Sequence, residues 1–511
     1  MTFRDPYSVA GASLPLQETT TLLVVGAGPA GLAAAIAAAN SGVKVVVVDE
    51  NPVPAATMGD DVPHLFGGRM TGAVRNTGAM MEAFVASDPA IAEAFDAGVD
   101  LRLGTLCWGL YTNGPSVGWM PGPVAGLADG ERSWLLGAER IVVATGRRDM
   151  GLAFDGWGQP GVMGMEAAVR LATRYGALAS RRAVVLGTTA EAVHGAEQLA
   201  AAGVEILALV ETGPAPLAAT ALPVIASATV RRAEGGADGV SALVLDGPSG
   251  ERRIECDTII LGVGTVPVIE LLDSVHCRIA FDPARGGPVP VLDEAGGTSV
   301  AGIAAAGDCA GIWAEKTRDP GSAVAEGRRA ALGSGAVDLP QSAYDIGAYR
   351  LGWVRSATLG ARTEPYVCQC EEVTAREILE VRPPRYLGAP PRPGDNSRDL
   401  VSLLGQAPSP DQVKRLTRAG MGLCQGRRCR EQVAALTALG SGTTLNRVPL
   451  PTHRAPVRPL PLRVAAPTGE DAGIAAHWDV WFGMKSQYQN FWSLPEHYTA
   501  AGRLAGEDGS E

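Results

Sequence analysis

Residues 21–50 constrain the fold most, because they predict a strand, a glycine-rich turn, a helix and a second strand. An apolar run at 22–25 leads into the sequence GAGPAG at 26–31, and an alanine-rich helix follows. In such a turn the first glycine permits a tight bend, the second lets a pyrophosphate approach the backbone, and the third lets helix and strand pack closely. The phosphates then lie at the helix N-terminus. The pattern predicts dinucleotide binding by Gly26, Gly28, Pro29, Ala30 and Gly31.

An acidic residue at the end of the second strand completes this pattern. Four valines at 45–48 lead directly into Asp49 and Glu50. In dinucleotide-binding folds, a carboxylate at this place accepts hydrogen bonds from the adenosine ribose. We therefore expect Asp49 or Glu50 to bind the ribose. The alternative is a glycine-rich turn followed by an acid with no ligand.

Composition limits the kinds of partner. The formal net charge of −11 argues against nucleic acid or an acidic membrane surface. No apolar run approaches the length of a membrane span, and the N-terminal residues lack the features of a signal peptide. Eight cysteines in 511 residues are too few for a disulfide scaffold. We expect a cytoplasmic α/β protein with no nucleic-acid partner and no membrane span.

The strand and turn pattern occurs a second time, at 182–211. Gly187 follows a strand as before, but Thr189 and Ala192 replace the second and third glycines. The next strand ends in Glu211, whose charge would repel the 2′-phosphate of NADP. Gly187 and Glu211 are thus candidate ligands of an adenine nucleotide. We favour a relic fold, or one that holds an adenine nucleotide without hydride transfer, over a retained NADH site.

Two later motifs connect the first turn to a known family. Ala-Thr-Gly at 144–146 contains Thr145 and Gly146, and a later strand runs into Gly307 and Asp308. Together with the first turn, they resemble the ordered fingerprints of flavoproteins that have two dinucleotide-binding domains. The resemblance implies that FAD binds to the first unit and to the segment after the second, with Asp308 hydrogen-bonded to the ribityl chain. Gly307-Asp308 alone would be equally typical of a helix N-cap.

Four cysteines cluster toward the C-terminal side and can supply four thiolates to one centre. They follow the patterns CxC and CxxxxC, and they are Cys368, Cys370, Cys424 and Cys429. An iron–sulfur cluster of the 2Fe–2S type is held by four cysteines and tolerates this spacing, whereas structural zinc usually shows CxxC spacing. We favour 2Fe–2S, and we retain zinc and unligated cysteine as alternatives. Backbone N–H groups and positive charge at 426–428 would stabilise the reduced cluster.

The sequences CQCEEVTAREI and RAGMGLCQGRRC give this module a second family resemblance. They are similar to the helical ferredoxin-like domain of bacterioferritin-associated ferredoxin and of amine-oxidising flavoprotein subunits. Those subunits are the A or α type of opine, proline, hydroxyproline and sarcosine enzymes, together with the B subunit of hydrogen cyanide synthase. Two departures stand out, a Pro/Gly-rich surface insertion at 382–410 and the residues at 54–59, where the family tends to have Gly-Gly-Gln near the flavin.

The expected fold is α/β, a two-dinucleotide-binding-domain flavoprotein with a small helical 2Fe–2S domain. The FAD domain would comprise residues 1–146 and 256–345, and the inserted NAD-type Rossmann-like domain would comprise 147–255. The cysteine module would occupy 346–440. An extended Pro-rich and aromatic tail would follow at 441–511, as a helix packed on its own domain or as a docking segment for a partner.

The resemblance implies an electron-transferring FAD and iron–sulfur subunit of a hetero-oligomeric dehydrogenase for opines, proline-like amino acids or N-alkyl glycines. An amino-acid-oxidase-like flavoprotein subunit would oxidise the CH–NH group, and an external electron acceptor and a further small subunit are candidate partners. Similar complexes hold FMN at the subunit interface, so FMN joins the candidate cofactors. We expect no catalytic acid or base in this chain, because His64, His194 and His453 are isolated residues. The alternatives are a stand-alone NADH-dependent flavoprotein reductase and a non-catalytic assembly subunit.

Overall fold

A computed structural model describes residues 16–52, 69–114, 120–333, 344–382 and 409–465. The chain divides into two compact units, Met1–Leu460 and Pro461–Glu511. The described residues of the second unit include one short helix, Leu462–Ala465. The departure at 54–59, most of the insertion at 382–410, His64 and the aromatic part of the tail lie outside the described residues.

A seven-stranded sheet contains the first predicted unit, with strands numbered along the chain. These strands are β1 (Glu18–Val25), β2 (Val45–Asp49), β3 (Asp100–Leu103), β4 (Leu106–Tyr111), β5 (Val124–Ala128), β6 (Ser133–Val143) and β19 (Ile303–Ala305). The order is β3-β2-β1-β6-β5-β4, and β19 pairs with the end of β6. Because β1 runs parallel to both β2 and β6, the carboxyl ends of these three strands lie at one edge of the sheet.

Helices α1 (Pro29–Asn40) and α8 (Gly321–Leu332) pack together at this sheet. Their backbones come close because small residues meet at the crossing. A Cβ atom added to Gly327 would lie 1.9 Å from the carbonyl oxygen of Ala30. The other helices of this part are α2 (Thr77–Ala86), α3 (Pro89–Asp96), α6 (Glu270–Ser274) and α7 (Ala314–Arg318), with 3₁₀ turns at Gly72–Arg75, Pro283–Arg285 and Gly307–Ala310.

A second parallel sheet contains the degraded repeat. Its strands are β8 (Val162–Gly164), β9 (Arg182–Leu186), β10 (Glu205–Val210), β11 (Val224–Ile225) and β15 (Thr258–Leu261), in the order β11-β10-β9-β15-β8. Helices α4 (Met165–Thr173) and α5 (Ala190–Ala201) belong to this unit. Since β15 pairs with β8 and β9, the second sheet extends beyond residue 255, where the sequence predicted that the inserted domain ends.

The remaining strands form small antiparallel sheets. One sheet joins β12 (Thr229–Gly236), β13 (Gly239–Gly247) and β14 (Gly250–Glu255). The pair β7 (Arg147–Asp149) and β16 (Thr265–Pro267) lies where the chain passes between the two large sheets. Another pair is β17 (Ile279–Asp282) and β18 (Gly287–Pro290).

The cysteine module is mainly helical. It begins with α9 (Ile346–Trp353) and a π-helical turn, Val354–Thr358. Its other elements are β20 (Tyr366–Cys368), β21 (Val373–Thr374), α10 (Ala375–Glu380), α11 (Pro410–Thr417) and α12 (Arg430–Gly440), and a 3₁₀ turn at Leu445–Arg447 follows. Thr374 caps α10 and Glu377 completes a capping box, so the sequence Thr-Ala-Arg-Glu at 374–377 itself fixes the start of this helix.

One hydrophobic core joins the cysteine module to the second sheet. Val184 and Leu261 of that sheet belong to the same buried cluster as Trp353, Cys368 and Val433. The module therefore packs on the second sheet as part of its core. Among the described residues, no helix combines the length and apolar character that crossing a membrane requires.

Candidate cofactor site

A cavity of about 620 Å³ lies at the carboxyl edge of the first sheet. Residues from all three predicted flavin motifs line it, although these motifs are far apart in sequence. The predicted residues that line the cavity are Gly26, Gly28, Pro29, Asp49, Glu50, Thr145, Gly146 and Asp308. These predicted cofactor-binding residues therefore lie around one cavity.

The glycine-rich turn has the geometry that a bound pyrophosphate requires. Gly26 has φ +112°, and a Cβ atom on it would lie 2.2 Å from the carbonyl oxygen of Ala144. A Cβ atom on Gly31 would lie 1.8 Å from the carbonyl oxygen of Gly26. A Cβ atom on Gly28, in contrast, would meet no atom within 4 Å. The turn is thus packed from behind and open toward the cavity, which fits a dinucleotide.

The two predicted ribose acids have different surroundings. Asp49 accepts hydrogen bonds from the backbone N–H of Ala27 at 2.6 Å and of Asn51 at 2.8 Å, so it fixes the glycine-rich turn. Glu50 lines the cavity and forms an ion pair with Arg458 at 2.6 Å. Of the two acids, Glu50 is therefore the better candidate to accept hydrogen bonds from a ribose, because its partner is a side chain rather than the backbone of the turn.

A buried ion pair supports the Gly307-Asp308 turn. The Lys316 ammonium donates to the carbonyl oxygens of Gly307 at 2.8 Å and of Gly311 at 2.7 Å, and it pairs with Glu326 at 2.9 Å. Glu326 also accepts a hydrogen bond from the backbone N–H of Gly307 at 2.7 Å. Burial lowers the pKa of Lys316, and Glu326 opposes that effect. This network holds the turn that presents Asp308 to the cavity.

Two adjacent arginines that were not predicted from the sequence line the cavity after the Ala-Thr-Gly motif. Arg147 pairs with Glu166 at 2.8 Å, donates to the Thr317 hydroxyl at 2.8 Å and lies 3.6 Å from Asp308. Arg148 lies beside it and points to the cysteine module. The pair Arg147-Arg148, directly after the Ala-Thr-Gly motif, is the sequence feature that could have indicated them.

Arg148 joins the flavin motifs to the cysteine module. Its guanidinium donates to the carbonyl oxygen of Arg427 at 2.6 Å, to Glu431 at 2.6 Å and 3.2 Å, and to Glu270 at 3.3 Å. Arg430 of the module pairs with the same Glu270 carboxylate. Burial opposes ionisation of Glu270, but Arg430 and Arg148 outweigh it and lower the pKa of Glu270 well below its usual value.

The module reaches the cavity itself. Arg427 and Arg428, directly before Cys429, belong to the cavity lining. Behind Arg427 the chain returns at Val457, whose carbonyl oxygen accepts a hydrogen bond from the Arg427 guanidinium. One cavity is therefore bordered both by the flavin motifs and by the segment that carries a candidate cluster ligand.

The four predicted cysteines converge. The sulfur atom of Cys370 lies 3.9 Å from that of Cys368 and 3.8 Å from that of Cys424, and Cys429 interacts with the Cys368 thiol. The Cys368 thiol and burial raise the pKa of Cys370 to about 11. Within the described ranges, however, no group of three or more His, Cys, Asp or Glu side chains already has the geometry of a bound metal ion.

Backbone N–H groups donate to the sulfur atoms of Cys368 and Cys424, and two of these groups lie in the predicted segment 426–428. The N–H of Gly420 donates to the Cys368 sulfur at 3.3 Å, and those of Gly426 and Arg428 hydrogen-bond the Cys424 sulfur. Such donors favour sulfur in its charged form. Four thiols with backbone donors fit the donor set of an iron–sulfur cluster. The other four cysteines, Cys107, Cys256, Cys277 and Cys309, are buried.

Gly187, Glu211 and His453 lie outside the cavity lining. Glu211 is 1% exposed. His453 forms a hydrogen bond with Asp273 at 2.7 Å through its ring, and a second at 2.8 Å through its backbone N–H. It therefore anchors the returning segment, whereas His194 lines the cavity.

Comparison with known proteins identifies the family. The sequence model of the pyridine nucleotide-disulphide oxidoreductases matches residues 20–330, more than half of the chain. The chain belongs to this family. Membership of the pyridine nucleotide-disulphide oxidoreductases implies FAD binding and confirms the predicted α/β flavoprotein fold.

Individual relatives of this pyridine nucleotide-disulphide oxidoreductase are similar over different shares of the chain. The A subunit of opine oxidase from Agrobacterium tumefaciens (strain Ach5) is 28% identical over 85% of this chain and 88% of its own length. The alpha subunit of sarcosine oxidase from Rhizobium meliloti (strain 1021) is 29% identical over 38% of this chain and 19% of its own length. L-Proline dehydrogenase from P. horikoshii has a similar fold, with a TM-score of 0.56 and 20% identity over 88% of this chain and 80% of its own. The predicted resemblance to opine and sarcosine oxidase subunits is confirmed.

Proposed function

We propose that this chain is the FAD- and 2Fe–2S-binding electron-transfer subunit of a hetero-oligomeric dehydrogenase that oxidises a secondary amine or amino acid. The substrate class is an opine, a proline-like amino acid or an N-alkyl glycine. A partner flavoprotein subunit would remove hydride from the carbon next to nitrogen, and the resulting imine would hydrolyse. The names of the relatives, which are subunits of opine and sarcosine oxidases, support this class of substrate.

One observation carries the proposal: the flavin motifs and the residues next to Cys429 border the same cavity. The turn around Gly28 and the carboxylates of Glu50 and Asp308 would hold FAD. Cys368, Cys370, Cys424 and Cys429 would hold the cluster. FAD and a 2Fe–2S cluster supply reversible electron carriage when bound. The Arg148 network would keep the two sites at a fixed separation.

This chain's residues bind and position cofactors in the proposal, and the amine chemistry belongs to the partner. The arginines Arg147 and Arg148 are held by carboxylates, so they form a fixed charged wall. The His–carboxylate pair found among the described residues, His453 and Asp273, is not part of the cavity lining. FMN at a subunit interface, an external electron acceptor and a further small subunit complete the proposed assembly.

The experiment compares two preparations under anaerobic conditions, the isolated chain and its complex with a co-expressed amino-acid-oxidase-like subunit. We expect an opine, proline or sarcosine to bleach the flavin absorbance of the complex but not of the isolated chain. NADH should bleach neither. Rapid bleaching of the isolated chain by NADH would contradict the proposal and support a stand-alone reductase. Flavin of this chain that never reduces in the assembled complex would support a non-catalytic assembly subunit.

A further inference from the structure

The second sheet ends in a turn that, in a nucleotide-binding unit, would be open to a ligand. A dinucleotide needs free backbone N–H groups at this turn and a carboxylate with free oxygens at the end of the next strand. Here Gly187 still makes the tight turn, with φ +108°. The residues beside it, Thr188 and Thr189, are both 0% exposed. The chain itself therefore covers the place where the phosphates would lie.

Thr188 has protein partners at each of its polar groups. Its backbone N–H donates to the Tyr349 hydroxyl at 3.2 Å, and its carbonyl oxygen accepts from the N–H of Ala218 at 3.0 Å. Its hydroxyl donates to Glu211 at 2.5 Å and accepts from the N–H of Leu217 at 3.0 Å. A phosphate at this turn would have to displace these bonds.

Glu211, the predicted ribose ligand, is also fully engaged. One of its oxygens accepts from the hydroxyls of Thr188 at 2.5 Å and Tyr349 at 2.9 Å. The other accepts from the Thr212 hydroxyl at 3.2 Å and the N–H of Gly213 at 3.1 Å. The carboxylate has the kind of hydrogen bonds that a ribose would make, but all of them come from the protein.

Tyr349 connects the two halves of this blocked turn. Its hydroxyl accepts from Thr188 and donates to Glu211, so it bridges the phosphate position and the ribose position. Its ring lies 5.9 Å from that of Tyr344 and 6.4 Å from that of Trp353, in edge-to-face contacts. Tyr349 and Trp353 belong to α9, the first helix of the cysteine module.

Helix α9 is fixed in this position. Arg350, which follows Tyr349, is 1% exposed and donates to the carbonyl oxygens of Thr265 at 2.8 Å and Gly286 at 2.9 Å. Trp353 is 0% exposed in the core that joins the second sheet to the cysteine module. Moving Tyr349 out of the turn would require disturbing this core.

We propose that Tyr349 excludes dinucleotides from the unit built on the second sheet, and that this unit serves as the docking platform for the cysteine module. NADH is then not an electron donor for this chain. The exclusion concerns the second sheet alone, so it does not depend on which group binds to the four cysteines or on which amine is oxidised.

The test is equilibrium binding of NADH and of ATP to the full chain with its flavin retained. NADH fluorescence reports NADH binding, and calorimetry reports the binding of both nucleotides. For the wild type we expect no binding up to about 1 mM. Tyr349→Ala removes the ring and the bridging hydroxyl, so affinity should rise at least about tenfold. Tyr366→Ala is the matched control, because Tyr366 is 46% exposed. This substitution should leave the affinity for NADH and ATP unchanged.

Wild-type binding at micromolar concentration would overturn the proposal, and so would a folded Tyr349→Ala variant that binds no better than the wild type. If this variant does not fold, amide hydrogen exchange of the wild type, measured with and without NADH, tests the proposal instead. Unchanged protection at residues 187–190 and 211–213 after NADH addition supports the exclusion, and added protection there overturns it.

Discussion

The guanidinium of Arg148 donates two hydrogen bonds to the carboxylate of Glu431, at 2.6 Å and 3.2 Å, across 283 residues of sequence. Arg148 follows the flavin motif at 144–146 by two residues, and Glu431 follows Cys429 by two. This pair therefore links the segment after the flavin motif to the segment after Cys429.

Replacing Arg148 by Met should destabilise the chain strongly. It would leave Glu431 and Glu270 without this partner in a buried site, and removing one member of a buried pair costs about 3–5 kcal/mol. Arg182→Met is the matched control, because Arg182 pairs with Glu205 at the surface and its loss should cost about 1 kcal/mol or less. Denaturant unfolding measures both. Equal costs for the two variants would contradict a structural role for Arg148.

Lys316→Met should lower both stability and flavin content. The change leaves Glu326 buried without its cation, at a cost of about 3–5 kcal/mol, and releases the turn that presents Asp308. The double variant Lys316→Met, Glu326→Met should recover part of the loss, because no charge is then left unpaired. Lys44→Met, at a lysine on the protein surface, is the control and should stay within about 0.5 kcal/mol of the wild type. A double variant less stable than Lys316→Met alone would count against this explanation.

Asp149 should make the flavin-free chain more stable as the pH falls from 7 toward 4. Burial and the nearby Glu166 raise the pKa of Asp149 from 3.8 to about 6, although it accepts backbone hydrogen bonds at the start of α4. A carboxyl group with a raised pKa binds its proton more tightly in the folded state, so protonation favours folding below about pH 6. The free energy of unfolding of the wild type minus that of Asp149→Asn should rise by about 2 kcal/mol over this range. A difference independent of pH would contradict the raised pKa.

Cys368→Ser and Cys429→Ser should each abolish bound iron while FAD remains. Both thiols are buried in the cluster of four, whereas Cys256 is a buried thiol near the second sheet that no proposed cofactor contacts. Cys256→Ser is therefore the control and should retain iron. Metal analysis of the three variants separates the possibilities, because iron retained in all of them would mean that the four cysteines do not bind it.

The glycine-rich turn and the cysteine pattern could be predicted because each is a local signal. The spacing of Gly26, Gly28 and Gly31 predicts the tight turn between β1 and α1, and Gly26 and Gly28 of this turn line the cavity. Cys370 and Cys424 are 54 residues apart, and their convergence was expected because four thiols can hold one centre. Only the spacing within the glycine-rich turn and within each cysteine pair is a local signal.

The contacts between distant segments could not be predicted in this way. Tyr349 and Glu211 are 138 residues apart, and nothing in the sequence near Glu211 indicates that a tyrosine hydroxyl will occupy its oxygens. The loss of glycine at 189 and 192 gave a hint that the second turn is closed, but not what closes it. The sequence placed the residues of β15 in the flavin domain, but β15 pairs with β9 of the second sheet. An apolar run alone does not reveal which sheet a strand joins.

Iron, zinc, acid-labile sulfide and flavin can be measured together in the full chain purified without oxygen. We expect about two iron atoms, about two sulfides and about one FAD per chain, with little zinc. A colourless protein without iron, or one that holds a single zinc ion in place of iron and sulfide, would contradict the claim that one polypeptide brings a flavin and an iron–sulfur cluster together.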